Sequence, residues 1–515
     1  MKGLRYIVIL LGIAILTAGA LQAQEPGVLH VVTENDITTL DPAIGYDLMA
    51  WTAEPLVYRG LVVDDASGNI SGALADKWDV SSDGLTYSFH IRDGAKFSNG
   101  RQVTADDVKY TFTRFFDPAT QSPGTFIYDM IQGAKDEIAG TTKDLSGVQV
   151  IDASDVKFIL TRPEYTFLIR LALPFDGIIA KEGVDKAGAD FAHEPLGAGP
   201  FMLDSWDAGQ QATFVKNPNY YDADKVPLDK IVFDIGVDAA TGYLRVESGQ
   251  ADLSMDRVTG ADYTHVASDP NLASQLIKSI GFPAMDYITM NVTEKPYSDP
   301  QVRQALNMAI DRDHLVQVTG GLAAPENGIV PPVVPGHNAD IPVIKYDPDG
   351  AKALLAKAGY PNGFSATMLT YNQPDALRLT QAMVQDLSQI GVNITLDTLD
   401  IGPYLDAYYK RPSPYDLIYG AWGMDFSDPT DAYEPLLLCG ESNNPGGYCN
   451  ADLDKQEQAD AQIPPGDARW KAFMDLEDAY TKDMPWIYGV YPISYFFRSS
   501  RVQNLNSHPA FIFTF

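Results

Sequence analysis

Pro374-Asp375-Ala376-Leu377-Arg378-Leu379-Thr380-Gln381-Ala382-Met383-Val384-Gln385-Asp386-Leu387-Ser388-Gln389-Ile390-Gly391-Val392-Asn393-Ile394-Thr395-Leu396 reads as a helix to about Ile390 with a strand, Val392–Leu396, directly behind it. The same helix-and-strand alternation recurs on either side. Asp347-Pro348 opens a helix that stops at Gly359, a residue suited to the left-handed position after a helix end. Asp299-Pro300 is an N-cap followed by proline at the first helical position. Behind it Val302, Ala305, Leu306 and Ala309 fall at i, i+3, i+4 and i+7, one buried stripe. Thr104-Ala105-Asp106-Asp107 is a capping box for a helix to about Phe116. Leu85–Ile91 alternates with period two, as a half-buried strand does, and Val28–Val32 is a further strand. Alternation of this kind argues for α/β layers. No repeat and no low-complexity linker separates the parts, so domains are expected to interleave.

The first 23 residues have a different character. Lys2 and Arg5 precede the apolar run Tyr6–Leu16, and small residues follow, with cleavage sites after Ala20 or Ala23. This is the layout of a cleavable secretory signal; the apolar run falls short of the roughly 20 residues a spanning helix needs. No cysteine lies nearby to carry a lipid, so a soluble periplasmic protein is expected. The formal net charge is −31, and removing Lys2 and Arg5 makes it two units more negative. Such a field repels nucleic acid, and none is expected as a partner. The chain's 515 residues suit two to four domains of roughly 100–200 residues each. The two cysteines, Cys439 and Cys449, read as a disulfide in an oxidising compartment. A metal site would need further soft ligands, and no histidine lies between His337 and His508. No metal or cofactor is expected.

Catalytic patterns are missing from the sequence. There is no G-x-S-x-G, no Walker A loop and no C-x-x-C, and His193-Glu194 continues as Pro195-Leu196-Gly197 rather than as a zinc motif. Gly197-Ala198-Gly199-Pro200-Phe201 lacks the third glycine of a dinucleotide loop and reads as a strand-entry turn. With 68 acids, carboxylate pairs arise by chance, so none marks a glycosidase. The chain reads as a binder, not an enzyme.

An ordered set of segments resembles the extracytoplasmic solute-binding proteins of family 5, the peptide receptors of ABC importers. They include Leu40-Asp41-Pro42, Leu74–Trp78, Tyr87–Gly100, Val103–Val108, Gly197–Phe201, Asn217–Tyr221, Ser248–Asp252, Asp299–Arg312 and Ala351–Gly359. The resemblance implies a type II periplasmic-binding-protein fold in its large three-domain form, with a ligand cleft between two lobes. Lobe I would comprise 24–57, 179–282 and 490–515, the inserted domain II 58–178, and lobe III 283–489, with hinge crossings near 282 and 490. Ala421-Trp422-Gly423-Met424-Asp425 looks like the family stretch in which an aspartate grips a peptide ammonium. The resemblance puts Asp425 in that role, with Trp422 as an apolar wall, Gly423 and Ala421 beside the ligand backbone, and Tyr46-Asp47-Leu48 offering main-chain bonds from lobe I. Cys439 matches a cysteine position of dipeptide receptors. Two departures stand out: Ser122-Pro123 is followed by Gly124 rather than an aromatic residue, and the positive residue for a ligand carboxylate is placed only by region, at Arg378, Lys410 or Arg411.

The resulting expectation is a monomeric receptor that closes on a small peptide and hands it to permease subunits. A non-peptide solute of the same family (an oligosaccharide, an opine or a metal chelate) is the alternative. From other classes, a secreted hydrolase would show a nucleophile–base pair, and a structural adaptor would lack a cleft.

Overall fold

The computed structural model describes residues 25–64, 69–279, 283–503, 505–507 and 513–514. The stretch read as a signal sequence and the expected crossing near 282 lie outside the described residues. Among those described, no helix is long and apolar enough to cross a membrane.

The helix–strand unit quoted above sits in a six-stranded sheet. Its strand order is Ala323–Pro325, Trp486–Pro492, Ala284–Met290, Leu417–Gly423, Phe364–Tyr371, Val392–Leu399. Phe364–Tyr371 and Val392–Leu399 run parallel, in register from Phe364 opposite Val392 to Tyr371 opposite Leu399. Parallel neighbours need a crossover, and the helix Pro374–Ser388 supplies it. Its Ala376, Leu379, Met383 and Leu387 are buried in one core with Val302, Ala305 and Leu306 of the helix Pro300–Met308. Asp299 caps that helix by accepting the Gln301 N–H at 2.8 Å. Gly359 has φ +97°, the conformation expected of a residue just past a helix end.

A five-stranded sheet has the order Leu253–Ser254, Val28–Thr33, Lys230–Ile235, Gln211–Lys216, Phe201–Asp207. A four-stranded antiparallel sheet has the order Ala75–Val80, Thr86–Ile91, Asp155–Ile159, Val148–Val150. The alternation in Thr86–Ile91 buries Tyr87, Phe89 and Ile91. Phe89 and Phe158 meet edge to face at 5.8 Å, and Phe158 meets Phe112 of the helix Ala105–Phe116 at 5.0 Å. Thr104 and Asp107 close the capping box, and Asp107 also pairs with Arg101 at 2.7 Å.

The chain passes between the five- and six-stranded sheets where two runs lie side by side. Leu276–Lys278 pairs antiparallel with Tyr495–Phe497, Ser279 N–H donates to the Ser494 carbonyl at 2.9 Å, and Ile493 N–H donates to the Leu322 carbonyl at 2.9 Å. Cys439 and Cys449 form a disulfide that closes the loop behind the helix Thr430–Leu437.

Candidate functional site

The segment 417–431 is built to present main chain and one carboxylate. Leu417–Gly423 pairs antiparallel with Ala284–Met290 along its whole length, but with Phe364–Tyr371 only at Leu417 and Ile418. Asp416 accepts the Asn291 N–H at 2.9 Å and Met424 N–H donates to Pro283 at 2.8 Å, so even-numbered residues direct their main chain towards Ala284–Met290. Alternation then puts the N–H and C=O of Tyr419, Ala421 and Gly423 on the other edge. Beyond Ile418 that edge has no paired strand among the described residues. The Tyr419 carbonyl is taken by the Tyr404 hydroxyl at 2.7 Å, which leaves Ala421, exposed, and Gly423, half-buried, facing outward.

The loop after this strand is fixed from below. Asp428 takes a two-pronged salt bridge from the fully buried Arg469, at 2.8 and 3.1 Å. Asp431 accepts the Asp425 N–H at 2.6 Å. Asp425 is 7% exposed, and its Oδ2 accepts the Tyr46 hydroxyl at 2.8 Å. Burial pushes the Asp425 carboxyl up to about 7, against the pull of the Tyr46 bond and the Arg170 charge. Asp431 is raised too, by burial and then by the Asp425 charge. Two carboxyls kept from water beside a phenol make a place that gains by taking up a cation.

The residue after Asp425 faces elsewhere. Phe426 is 4% exposed and belongs to the core of the four-stranded sheet, with Phe115, Phe175 and Leu173. The Arg170 guanidinium lies over its ring at 4.7 Å and bonds Glu434 at 3.0 Å. Burial disfavours the Arg170 charge, but Glu434 and Glu164 more than offset it, so its pKa rises above the ordinary value.

Tyr46 and Asp425, 379 residues apart in the chain, thus meet, Tyr46 braced by the rings of Trp51 and Phe175 at 5.5 and 5.4 Å. Asp47 is the N-cap of the helix Leu48–Val57, its Oδ1 accepting the N–H of Met49 and Ala50 at 2.9 and 3.1 Å. The carbonyls of Asp47 and Leu48 are taken by the Trp51 N–H and the Thr52 hydroxyl, at 3.0 and 2.7 Å. The Leu48 N–H stands among the first donors of the helix, which have no intrahelical partner. Trp422 lies on the opposite face from Ala421, packed with Met285 and Tyr287, and its buried Nε1 makes no hydrogen bond. Gly124 abuts the Phe175 ring, where an added Cβ would come within 2.6 Å, so this position has no room for an aromatic side chain. Of the positive candidates, Arg378 pairs with Asp375 on the surface of its helix, and Arg411 bonds the carbonyls of Tyr408 and Ser442.

Sequence reasoning missed Arg170, Asp431, Phe426 and Tyr404. It also missed Asp286, which lies opposite Ala421 and accepts the Tyr419 hydroxyl at 2.8 Å. Burial pushes Asp286 up to about 6, while the Tyr419 bond and the Arg257 charge pull it down. Asp431 had a local signal, an acid in the first turn of a helix; the others had none.

The family model of bacterial extracellular solute-binding proteins, family 5 Middle, matches residues 69–444. The chain belongs to this family. Among relatives of this family 5 protein, the glutathione-binding protein GsiB of Salmonella typhimurium is 29% identical over 466 residues, covering 89% of this chain and 87% of its own. Heme-binding protein A of Haemophilus influenzae is 30% identical over 481 residues, covering 88% and 85%. Among solved structures, the periplasmic binding protein DppA from Helicobacter pylori, in complex with the peptide STSA, has a TM-score of 0.78 at 25% identity, covering 95% of this chain and 98% of that one. Clavulanic acid biosynthesis oligopeptide binding protein 2 shares the fold, with a TM-score of 0.86 at 23% identity and coverage of 95% and 94%. The α/β type II fold of the periplasmic binding proteins is the fold of this family 5 chain.

Proposed function

We propose that this protein is a periplasmic receptor that captures a short peptide and delivers it to the permease of an ABC importer. The observation that carries the reading is the buried Asp425 carboxyl at the end of an open main-chain edge. A peptide shares with every other peptide its ammonium, its extended backbone and its carboxylate. The edge at Ala421 and Gly423 suits the backbone by strand addition, and Asp425 suits the ammonium. The names of the relatives point the same way: glutathione is a tripeptide, and DppA was solved with a four-residue peptide. Trp422 and Tyr46 would flank the first residue, and the N–H of Leu48 would serve from the opposite side.

In this reading 24–57, 179–282 and 490–515 move as lobe I and 283–489 as lobe III. The paired runs 276–279 and 493–497 form the hinge, and 58–178 is carried as an insertion. Hinge closure around a ligand is the motion for which periplasmic binding proteins are the standard example. Residues 1–23 act as the export signal, and the receptor works as a monomer. The heme-binding relative favours a second reading, a bulky non-peptide solute held in the same cleft. Mass spectrometry of the solute carried through native purification, followed by calorimetry with trialanine, separates the two. Trialanine binding with a heat that disappears on N-acetylation supports the peptide reading. A carried non-peptide solute together with no heat from trialanine overturns it.

A further inference from the structure

The open edge of the 417–423 strand is short, and it is closed at both ends. At one end Asp425 is met by Tyr46, while Phe426 is sunk in the core of the four-stranded sheet, so a chain has no route past its own ammonium. At the other end the Tyr404 hydroxyl occupies the Tyr419 carbonyl at 2.7 Å. This is the main-chain acceptor a longer strand would use next. Tyr404 is 5% exposed, and its ring packs against Tyr371 at 5.0 Å and Tyr408 at 5.8 Å. Between the two stops only Ala421 and Gly423 offer main chain.

At roughly 3.3 Å per strand residue, Gly423 to Tyr419 spans about 13 Å. An extended peptide covers at most about 3.3–3.6 Å per residue. Three residues, about 10 Å, fit along the edge from Gly423 before the Tyr419 carbonyl is reached. A fourth brings the chain to about 13–14 Å, where the Tyr404 ring stands. We propose that Tyr404 is the length-determining residue of this receptor, a main-chain cap that ends the ligand strand after about three residues. The proposal rests on the peptide reading. It adds to that reading a limit on ligand length and the side chain that sets it.

The test is calorimetric titration with alanine peptides of two to five residues against the wild-type receptor and the variants Tyr404→Ala and Tyr404→Phe. Thermal unfolding is recorded for each variant. In the wild type, tetra- and pentaalanine should bind at least tenfold more weakly than trialanine. Tyr404→Ala should bring that gap below threefold by strengthening the binding of tetra- and pentaalanine. Tyr404→Phe frees the Tyr419 carbonyl while keeping the ring, so the gap should narrow without closing; an unchanged gap overturns the hydroxyl's part as the cap. Pentaalanine binding the wild type as tightly as trialanine overturns the proposal by itself, whether or not either variant folds. A gap that survives in a normally folded Tyr404→Ala variant overturns the assignment to Tyr404. Should no peptide of the series bind, the peptide reading falls and the length limit falls with it, an outcome distinct from a series that binds without regard to length.

Discussion

Replacing Asp425 by asparagine removes the charge and little else. The amide keeps an oxygen to accept the Tyr46 hydroxyl, and its volume is nearly unchanged, so the packing around Phe426 should survive. Breaking a buried ion pair by deleting one partner typically costs about 3–5 kcal/mol. The lower end applies here, because a carboxyl pushed up to about 7 is already half neutral at that pH. About 3 kcal/mol corresponds to roughly 150-fold in Kd. The pH dependence carries the finer test. An ammonium is bound by the ionised carboxyl, so affinity falls as pH drops through about 7 and protons compete. A peptide α-amine titrates near 7.7–8.0, so affinity also falls on the alkaline side. Multiplying the two ionised fractions puts the optimum near pH 7.5, with binding about sixfold weaker at pH 6 and about tenfold weaker again at pH 5. Asp425→Asn should lose the acid limb and keep the alkaline one. Calorimetry with trialanine from pH 5 to 8.5 reads both. A variant that binds within threefold of wild type, or that keeps the acid limb, would refute the assignment of the ammonium to this carboxyl.

Tyr46→Phe deletes the hydroxyl whose bond pulls the Asp425 pKa down, so the acid-side midpoint of the same profile should move to higher pH; an unmoved midpoint means the contact has no hold on the carboxyl. Arg170→Met leaves Glu434 and Glu164 without their shared countercharge, at a cost of about 3–5 kcal/mol. The denaturant midpoint should drop clearly, and an unchanged midpoint would show that the guanidinium is dispensable. The double substitution Cys439→Ser/Cys449→Ser reopens a loop with a sequence separation of 10, worth about 2–3 kcal/mol on chain-entropy grounds. Thermal unfolding should fall without reductant and lose its response to dithiothreitol, while trialanine affinity at 25 °C stays within twofold.

Much of the fold was legible because its signals are local. Thr104 with Asp107, and Asp299 ahead of Pro300, fix helix starts through bonds that span three residues or fewer. The stripe Val302, Ala305, Leu306, Ala309 and the alternation in Thr86–Ile91 name a buried face each. Asp425 was legible only through the resemblance, since from spacing alone it was one loop acid among many. Arg170 could not be read at all: it reaches Glu434 across 264 residues, and nothing near it in the chain marks it. Tyr404 was hidden differently. Its role depends on which strand edge lacks a neighbour, a property of register that the 417–423 sequence does not carry. Tyr46 was named through the resemblance for main-chain bonds, but its hydroxyl contact with Asp425, 379 residues away, was not.

Asp425 and Phe426 are consecutive, yet one side chain faces Tyr46 and the next lies under Arg170. Consecutive side chains therefore hold the loop after the 417–423 strand against Tyr46 and Arg170 along a single seam. Parting that seam wets an aromatic ring; even about 100 Å² of newly exposed apolar surface costs about 2.5 kcal/mol, near 70-fold in population. In the proposed receptor, solute would enter or leave only while the seam gapes, so arrival and departure would share one gatekeeper. Such a receptor would trade speed of capture for length of stay, and the exchange rate would answer to the greasiness of position 426 before it answered to the solute.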